Sequence, residues 1–341
     1  MNILKALAGW ALVVWALLDA FEQVILPRNQ APAFRISSLA LRVTWGPWKG
    51  LARGMRSEER RTAFLGYYGP LSVLIMLSLW DLALIFGFAL GWSGLRKGSF
   101  LQRLYLSGSN FFTLGLSNPP VTDVDRVVTL IEAGVGLAFL AVIIGYLPVY
   151  YGAYSSREAL IPRFQGVAGY PSTAGGLVRR STQVGDKSLV FQVLMELQGW
   201  AADVLQSHRA YKLVALYRSQ KGNESWVAVL TTVLDATALW ITLPRDGPQL
   251  ASPVTFEVAR RVAQDLAGAF RLKPESLPAD RLPRPDFQKL CEKLAAAGME
   301  LSDSEETEQK LAQLRNTYEP YVYALSQFLF VELPAWIEDA A

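Results

Sequence analysis

The chain is 341 residues long, 51% hydrophobic and 18% charged, and its formal net charge at neutral pH is +3. So small a net charge does not favour nucleic acid as a partner. The single cysteine (Cys291) excludes an internal disulfide, and the single histidine (His208) argues against a histidine-rich metal site. The hydrophobic excess lies in residues 1–155, whereas residues 156–341 have the composition of an ordinary soluble domain.

The first predicted element is an apolar helix over residues 3–26, which is long enough to cross a bilayer that needs roughly 20 residues. A signal peptide is the alternative, but no clear small-residue cleavage motif follows. Eight Lys or Arg residues then occur in residues 27–65, against only Glu58 and Glu59. The positive-inside rule therefore places residues 27–65 in the cytoplasm and the N-terminus outside.

Two further apolar runs, residues 65–92 and 127–151, are predicted spans, and the segment between them differs from both. Its first part, residues 101–112, is only about three helical turns long and cannot cross a bilayer. The sequence Thr-Leu-Gly-Leu follows at residues 113–116, and its glycine suits an unusual backbone conformation. Irregular backbone at membrane depth is tolerated where it lines a water-filled path. This order of span, short helix, irregular segment and span resembles the pore module of potassium channels, in which backbone carbonyls replace the hydration shell of an ion.

Residues 101–118 are therefore interpreted as a pore helix followed by a selectivity filter. The predicted ion-binding residues, with K⁺ as the bound metal ion, are Thr113, Leu114, Gly115, Leu116 and Ser117. The residues predicted to support the filter from behind are Ser109, Asn110, Phe111, Phe112, Asn118 and Glu132. Glu132 is placed at filter depth, where it could accept hydrogen bonds from Ser109, Asn110 or filter amides. A neutral Glu132 in an ordinary helix contact is the alternative.

Other stretches match the same kind of protein. As they stand in this chain, they are Asp19-Ala-Phe-Glu-Gln-Val-Ile-Leu-Pro-Arg28, Tyr68-Gly-Pro-Leu71, Tyr105-Leu-Ser-Gly108, Glu132-Ala-Gly-Val-Gly136, Gly145-Tyr-Leu-Pro148, Tyr217-Arg-Ser-Gln220, Ser225-Trp226 and Leu234-Asp235. Together with the filter they resemble a bacterial family of three-span, potassium-channel-like proteins of the potassium or two-pore-domain type, over most of the chain to about residue 245. The resemblance implies an ion channel. Such filters usually end in Gly-Asp, whereas this chain has Ser117 and Asn118, so we expect relaxed potassium selectivity or low conduction.

The last predicted span is expected to line the conducting path. The residues predicted to face the pore or to form a gate are Gly136, Leu140, Ile144, Leu147, Pro148 and Tyr151. Four Ile144 or Leu147 side chains meeting on an axis would close the path by dewetting. The alternative is that the glycines of this span only permit close packing of helices.

Residues 153–180 are predicted as a linker, and the sequence after it shows helical patterns. The predicted helices cover residues 187–207, 211–220, 225–243, 254–270, 287–297 and 305–337. The candidate sensor residues are Asp19, Glu22, His208, Arg209 and Arg218. For His208, Arg209 and Arg218 the hypothesis is a pocket for a small-molecule or ionic regulator, and the alternative is a plain helical core. For Asp19 and Glu22 the alternative is an interfacial ion pair with Arg28 or an arginine of residues 35–61.

The sequence thus predicts an all-α membrane protein with a pore domain over residues 1–155 and an all-α cytoplasmic domain over residues 156–341. It indicates a homotetramer in a bacterial plasma (inner) membrane, in contact with membrane lipids, that conducts potassium or monovalent cations with weak selectivity. No catalytic grouping or cofactor motif is found, so we predict no enzyme, no cofactor beyond the permeant cation and no nucleic-acid partner. The alternative function is a non-conducting receptor or scaffold that retains the channel frame with a degenerate filter.

Overall fold

The computed structural model of this protein describes residues 2–24, 36–116, 119–184, 187–219, 225–242, 251–299 and 304–337. Throughout these ranges the regular elements are helices, and no strand occurs in them. The α-helices are α1 Asn2–Val24, α2 Ile36–Arg53, α3 Glu58–Gly66, α4 Tyr68–Gly91, α5 Phe100–Phe111, α6 Asp123–Ala168, α7 Ala174–Val184, α8 Lys187–Ala210, α9 Trp226–Thr242, α10 Ala251–Ala269, α11 Arg284–Ala296, α12 Glu305–Asn316 and α13 Glu319–Leu329.

Three helical segments are long and apolar enough to cross a membrane, which confirms the prediction of an all-α chain with three helices that could span one. They cover Ile3–Val24, Glu58–Gly94 and Asp123–Ala168. By its contacts the chain divides into two compact units. The first comprises residues 1–57 and 67–152, and the second comprises residues 58–66 and 153–341.

In the first unit, α1 and α4 approach each other closely because glycines lie where they cross. A Cβ atom added to Gly9 would lie 2.4 Å from the carbonyl oxygen of Gly87, and one added to Gly87 would lie 2.8 Å from the side chain of Val13. Small residues at such crossings let two backbones come into contact. The close contact with α1 therefore stabilises α4, the α-helix that precedes α5 in the chain.

In the second unit, α9 forms the centre, since it is buried along its length except at Ile241. Helices α7, α10, α12 and α13 all contact it. A helix that is largely apolar around its circumference is stable when other elements surround it. The predicted helices over residues 187–207, 225–243, 254–270 and 287–297 are confirmed as α8 to α11 with ends shifted by a few residues, residue 243 lying outside the described ranges.

The linker predicted over residues 153–180 is wrong, because α6 continues to Ala168 and α7 begins at Ala174. Arg157, Ile161, Phe164 and Ala168 recur at helical spacing in this stretch, and all four are buried. Burial of one face stabilises a helix even where its composition suits a loop.

Two of the predicted helices also need correction. The one over residues 211–220 is a 3-10 turn at Lys212–Leu216 followed by extended backbone, and Gln220 lies outside the described residues. The one over residues 305–337 is broken into α12 and α13, with an irregular stretch after residue 330. Pro320 near the start of α13 has no amide hydrogen, which suits the first turn of a new helix better than the middle of an old one.

Candidate functional site

The predicted pore helix is α5, whose first turn is fixed by its own side chains. Ser99 Oγ accepts a hydrogen bond from the Gln102 amide at 3.3 Å, and Gln102 Oε1 accepts one from the Ser99 amide at 3.0 Å. This capping box satisfies two donors that a helix start otherwise leaves unpaired. Leu106 then anchors the helix in a cluster with Trp92 and Val128. A helix as short as α5 depends on such packing and capping for its stability.

The backbone after α5 adopts left-handed geometry at two positions, which agrees with the need for glycine inferred from the sequence. Gly115 has φ of +67° and Thr113 has φ of +56°. Glycine enters this region without penalty, whereas a β-branched residue is rarely found there. Strain of order 1–3 kcal/mol is expected for a residue such as Thr113.

The peptide groups of this segment are oriented with their donors toward α5. Hydrogen bonds of 2.8–3.0 Å join the amides of Phe112, Thr113 and Leu114 to the carbonyls of Gly108, Asn110 and Ser109 respectively. The Leu116 amide donates to Ser109 Oγ at 2.9 Å. Among the described residues, none donates a hydrogen bond to the carbonyl oxygens of residues 113–116. Residues 113–116 are exposed in the single chain, so these oxygens are accessible to a partner from outside it.

Glu132 is fully buried behind this segment and joins three elements. Its Oε2 accepts hydrogen bonds from Trp92 Nε1 and Asn110 Nδ2, both at 3.0 Å. Its Oε1 lies 2.5 Å from Ser107 Oγ, which also lies 2.8 Å from the carbonyl oxygen of Ile85. Glu132 therefore ties α6 to α5 and to the end of α4.

The predicted supporting residues take different parts in this arrangement. Asn110 binds Glu132, as one of the hypotheses had it, whereas Ser109 binds the Leu116 amide instead. Phe111 is buried and Phe112 is exposed, with their ring centroids 5.4 Å apart. Ser117 and Asn118 lie outside the described residues.

Sequence reasoning missed Trp92, Ser107 and Arg96. A buried indole usually requires an acceptor, so Trp92 at the end of a span was a signal that pointed toward a buried oxygen. Arg96 lies 5.4 Å over the Trp92 ring, and it donates hydrogen bonds to Asp125 at 3.3 Å and to the carbonyl of Pro119 at 3.2 Å. It thereby holds the chain that returns from the irregular segment to α6.

The residues predicted to line the pore fall into two groups. Gly136 lies against α5, since an added Cβ atom would be 1.9 Å from the carbonyl oxygen of Phe111. This contact matches the alternative interpretation of the glycines, which was close helix packing. The remaining residues are exposed in the single chain, and they are Leu140, Ile144, Leu147, Pro148 and Tyr151.

The two acidic sensor candidates of α1 are not equivalent. Asp19 is buried, and its Oδ2 accepts a hydrogen bond from Trp80 Nε1 of α4 at 2.8 Å. Glu22 is only partly buried. The predicted partner Arg28 lies outside the described residues. For Asp19 the structure thus gives a contact between two helices, which neither sequence interpretation anticipated.

His208 is fully buried in the second unit. Its ring packs edge-on against Trp226 with centroids 4.8 Å apart, and its Nε2 lies 3.3 Å from Arg157 Nη1. An arginine only donates, so Nε2 is the acceptor and the ring proton resides on Nδ1. Burial, and then the positive charge of Arg157, holds the pKa of His208 well below its ordinary value.

Arg157, which sequence reasoning also missed, binds the turn after α8. Its guanidinium donates to the carbonyls of Val214 and Tyr217 at 3.1 and 2.8 Å and forms an ion pair with Glu158 at 2.8 Å. The Val214 carbonyl also accepts a hydrogen bond from the Tyr217 amide at 3.1 Å, so the arginine binds the end of the 3-10 turn that replaces the predicted helix.

The other two sensor candidates are separated. Arg209 forms a half-exposed ion pair with Asp265 at 3.5 Å. Arg218 lines a cavity that Arg209 does not reach. Comparison of this chain with protein-family models, with curated proteins and with solved structures found no match.

Proposed function

We propose that this protein is a homotetrameric channel for potassium or other monovalent cations in a bacterial plasma membrane, with the N-terminus outside and the C-terminal domain in the cytoplasm. The observation that carries the proposal is the orientation of the peptide groups at residues 113–116. The amides of Thr113, Leu114 and Leu116 bind back to α5, and the carbonyl oxygens of residues 113–116 receive no hydrogen bond from the described residues. Carbonyls presented in this way are what replaces the water of a permeating cation.

The tetramer follows from the number of such segments in a chain. One chain supplies one row of carbonyls, and a ring of four rows is needed to surround a cation. Closed rotational symmetry is the usual way in which identical chains complete such a ring. The exposed apolar residues of α6, among them Leu140 and Ile144, would then face the other copies, the pore or lipid.

Flux of K⁺ into liposomes containing the purified protein tests the proposal, and two glycines give a matched comparison. In both Gly115 and Gly199 an added Cβ atom would meet no atom within 4 Å, but only Gly115 has a positive φ. Left-handed geometry costs an L-residue roughly 1–2 kcal/mol in each chain. We therefore expect Gly115→Ala to lower K⁺ flux at least about tenfold and Gly199→Ala to leave it unchanged. Equal flux in the two variants would contradict the assignment of the filter.

Substitution of Ser117 and Asn118 distinguishes the channel hypothesis from the hypothesis of a non-conducting scaffold. The native chain is expected to pass K⁺ and, with relaxed selectivity, some Na⁺, as measured by reversal potentials in mixed salt. A native chain without current that gains one in the double variant Ser117→Gly with Asn118→Asp would identify the scaffold with a degenerate filter. No current in either protein would overturn both forms of the channel proposal.

A further inference from the structure

The second unit contains a cavity of about 640 Å³, and of the three residues hypothesised to form a regulator pocket there, Arg218 lines it whereas His208 and Arg209 do not. This volume is in the range of sites for small molecules, about 300–1,000 Å³. Its walls come from α3, α6, α9 and α13, and from the irregular segment after α13. They combine apolar side chains with hydroxyl and amide groups, which suits a ligand that is polar at one end.

Two arginines line this cavity and contact the same residue, Phe330. Arg61 lies 5.5 Å over the Phe330 ring, and Arg218 Nη2 donates to the Phe330 carbonyl at 2.5 Å and to the Leu329 carbonyl at 2.9 Å. Neither guanidinium is paired with a carboxylate of the described residues. Burial, and then the charge of Arg61, lowers the pKa of Arg218 to about 10. Two like charges held together in this way would be stabilised by an anion between them.

Phe330 itself has a strained backbone. It ends α13 with φ of +56° and ψ of +52°, a left-handed conformation that a bulky residue rarely adopts. Strain of this kind clusters at functional sites, including those that hold a ligand. The residue that both arginines contact is thus also one of the few non-glycine residues with a left-handed backbone in the described part of the chain.

We propose that this cavity binds a small organic anion that carries a phosphate or carboxylate group, with Arg61 and Arg218 holding that group. The two carboxylates that line the cavity, Glu58 and Glu332, are exposed to solvent, so they oppose the arginines less than buried acids would. The apolar part of the ligand would lie against side chains such as Ile161, Val229 and Leu333. The phosphate or carboxylate has two sources, a soluble compound or the headgroup of an anionic lipid.

We expect the ligand to regulate ion conduction, because two walls of the cavity are continuous in sequence with predicted spans. This step rests on the channel function proposed above. Residue 66, the last of α3, is separated by a single residue from the start of α4. The part of α6 that lines the cavity, at Ile161 and Gln165, continues the helix of the last predicted span. A ligand that changes the position of either wall would act directly on a helix adjoining the filter segment.

Binding is tested by isothermal titration calorimetry on the purified full-length protein in detergent micelles. The probes are glycerol 3-phosphate and citrate as soluble anions, and dihexanoyl phosphatidic acid, which presents the same phosphate monoester on a lipid. Arg61→Gln removes one guanidinium that has no hydrogen-bond partner in the described part of the chain, so it should leave the fold intact. Arg60→Gln is the matched control, because Arg60 is an exposed neighbour on α3 that does not line the cavity.

We expect at least one probe to bind saturably, with Arg61→Gln weakening it about tenfold or more and Arg60→Gln leaving it unchanged. Binding of a soluble probe assigns a soluble ligand, and binding of the lipid probe alone assigns a lipid headgroup. Saturable binding of none of the three probes, or equal affinities in the two variants, would overturn the proposal. Because binding is measured without ion flux, this result is independent of whether the protein conducts.

Discussion

Glu132 presents its two carboxyl oxygens to different kinds of partner. Oε2 accepts from Trp92 and Asn110, whereas Oε1 lies beside Ser107, whose hydroxyl also lies within reach of the Ile85 carbonyl. A hydroxyl group has one hydrogen to donate. If Glu132 is protonated and donates to Ser107, and Ser107 donates to Ile85, every one of these atoms is satisfied.

We therefore expect Glu132→Gln to keep both thermal stability and K⁺ flux, because an amide, like a protonated carboxyl, has one acceptor oxygen and one donor group. Glu132→Leu should lower both, since it removes the oxygen that accepts from Trp92 Nε1 and Asn110 Nδ2, and loss of the acceptor of a buried donor costs roughly 1–3 kcal/mol. Melting temperatures and liposome flux of the two variants provide the measurement. A loss in Glu132→Gln as large as that in Glu132→Leu would mean that the negative charge is required.

His208 gives the second unit a predictable response to acid. Its pKa is lowered by folding, so the unfolded chain binds the proton more readily than the folded one. The stabilisation is complete above the ordinary histidine pKa and is lost as the pH falls below it toward the folded value. The slope is at most about 1.4 kcal/mol per pH unit for one proton.

The measurement is the melting temperature of the purified protein between pH 7.5 and pH 5. In the native chain we expect a decrease on acidification, and in His208→Gln, which keeps an acceptor for Arg157, we expect a clearly smaller one. The difference between the two proteins isolates the histidine from carboxylates that titrate in the same range. Parallel curves would show that His208 is not the responsible group.

At the scale of helices, the C-terminal segment is joined to α9 by buried charges. Asp235 accepts two hydrogen bonds from Arg281, at 2.6 and 3.2 Å, and one from the Tyr318 hydroxyl at 2.6 Å. Arg281 also binds Glu319 at 3.0 Å and the Pro334 carbonyl at 2.8 Å. The charge of Asp235 therefore connects α9, the loop before α11, and the chain on both sides of α13.

Asp235→Asn should destabilise the protein by about 3–5 kcal/mol, because it leaves a buried arginine without its principal counter-charge. Asp286→Asn is the control, since Asp286 forms an exposed pair with Lys289 at 3.1 Å that is worth less than about 1 kcal/mol. Denaturant unfolding of the two variants in the same detergent compares them directly. Similar midpoints would show that the buried network is compensated by other contacts.

The helices that the sequence predicted well are those with strong local signals. The apolar runs of α1, α4 and α6 are continuous, and a short amphipathic helix ending in Thr-Leu-Gly-Leu is recognisable as α5 followed by irregular backbone. The positive φ of Gly115 also follows from residue type alone. The predictions that failed concern segments whose structure depends on contacts with residues distant in sequence. Residues 153–168 are helical because distant side chains bury one face, and residues 211–219 contain only a 3-10 turn, at whose end Arg157 binds the carbonyls of Val214 and Tyr217.

The candidate site was predictable to a similar extent. Glu132 and Asn110 could be paired from their depth in adjoining helices, but Trp92 and Ser107 required the packing of α4 against α5. The cavity of Arg61 and Arg218 was hidden by their separation in sequence. Two arginines that are 157 residues apart become neighbours only through the fold of α3 and α13 around Phe330.

At the scale of the whole molecule, much of α6 is exposed in the described part of a single chain. Its buried residues lie along one face, which includes Val128, Glu132, Phe139, Tyr146 and Tyr150. Apolar side chains on its other faces are exposed. In a membrane those faces contact lipid, other copies or a water-filled path, and length and composition do not distinguish them. In a symmetric assembly some of these exposed faces lie near the axis and others face lipid, and a measurement of proximity between copies distinguishes the two.

We expect the purified protein to have four times the 37.7 kDa mass of one chain, after correction for detergent, and Ile144 to approach its copies near the axis. In a Cys291→Ala background, Ile144→Cys should form disulfide-linked dimers on mild oxidation in membranes. Leu82→Cys on α4 is the matched control, because Leu82 is 61% exposed in the single chain and Ile144 is 65% exposed. Exposure therefore cannot explain a difference between them, whereas proximity to a symmetry axis can, since disulfides need Cβ atoms within about 3.5–4.5 Å. Monomeric mass together with equal crosslinking at both positions would exclude the tetramer and, with it, a ring of carbonyls around Gly115.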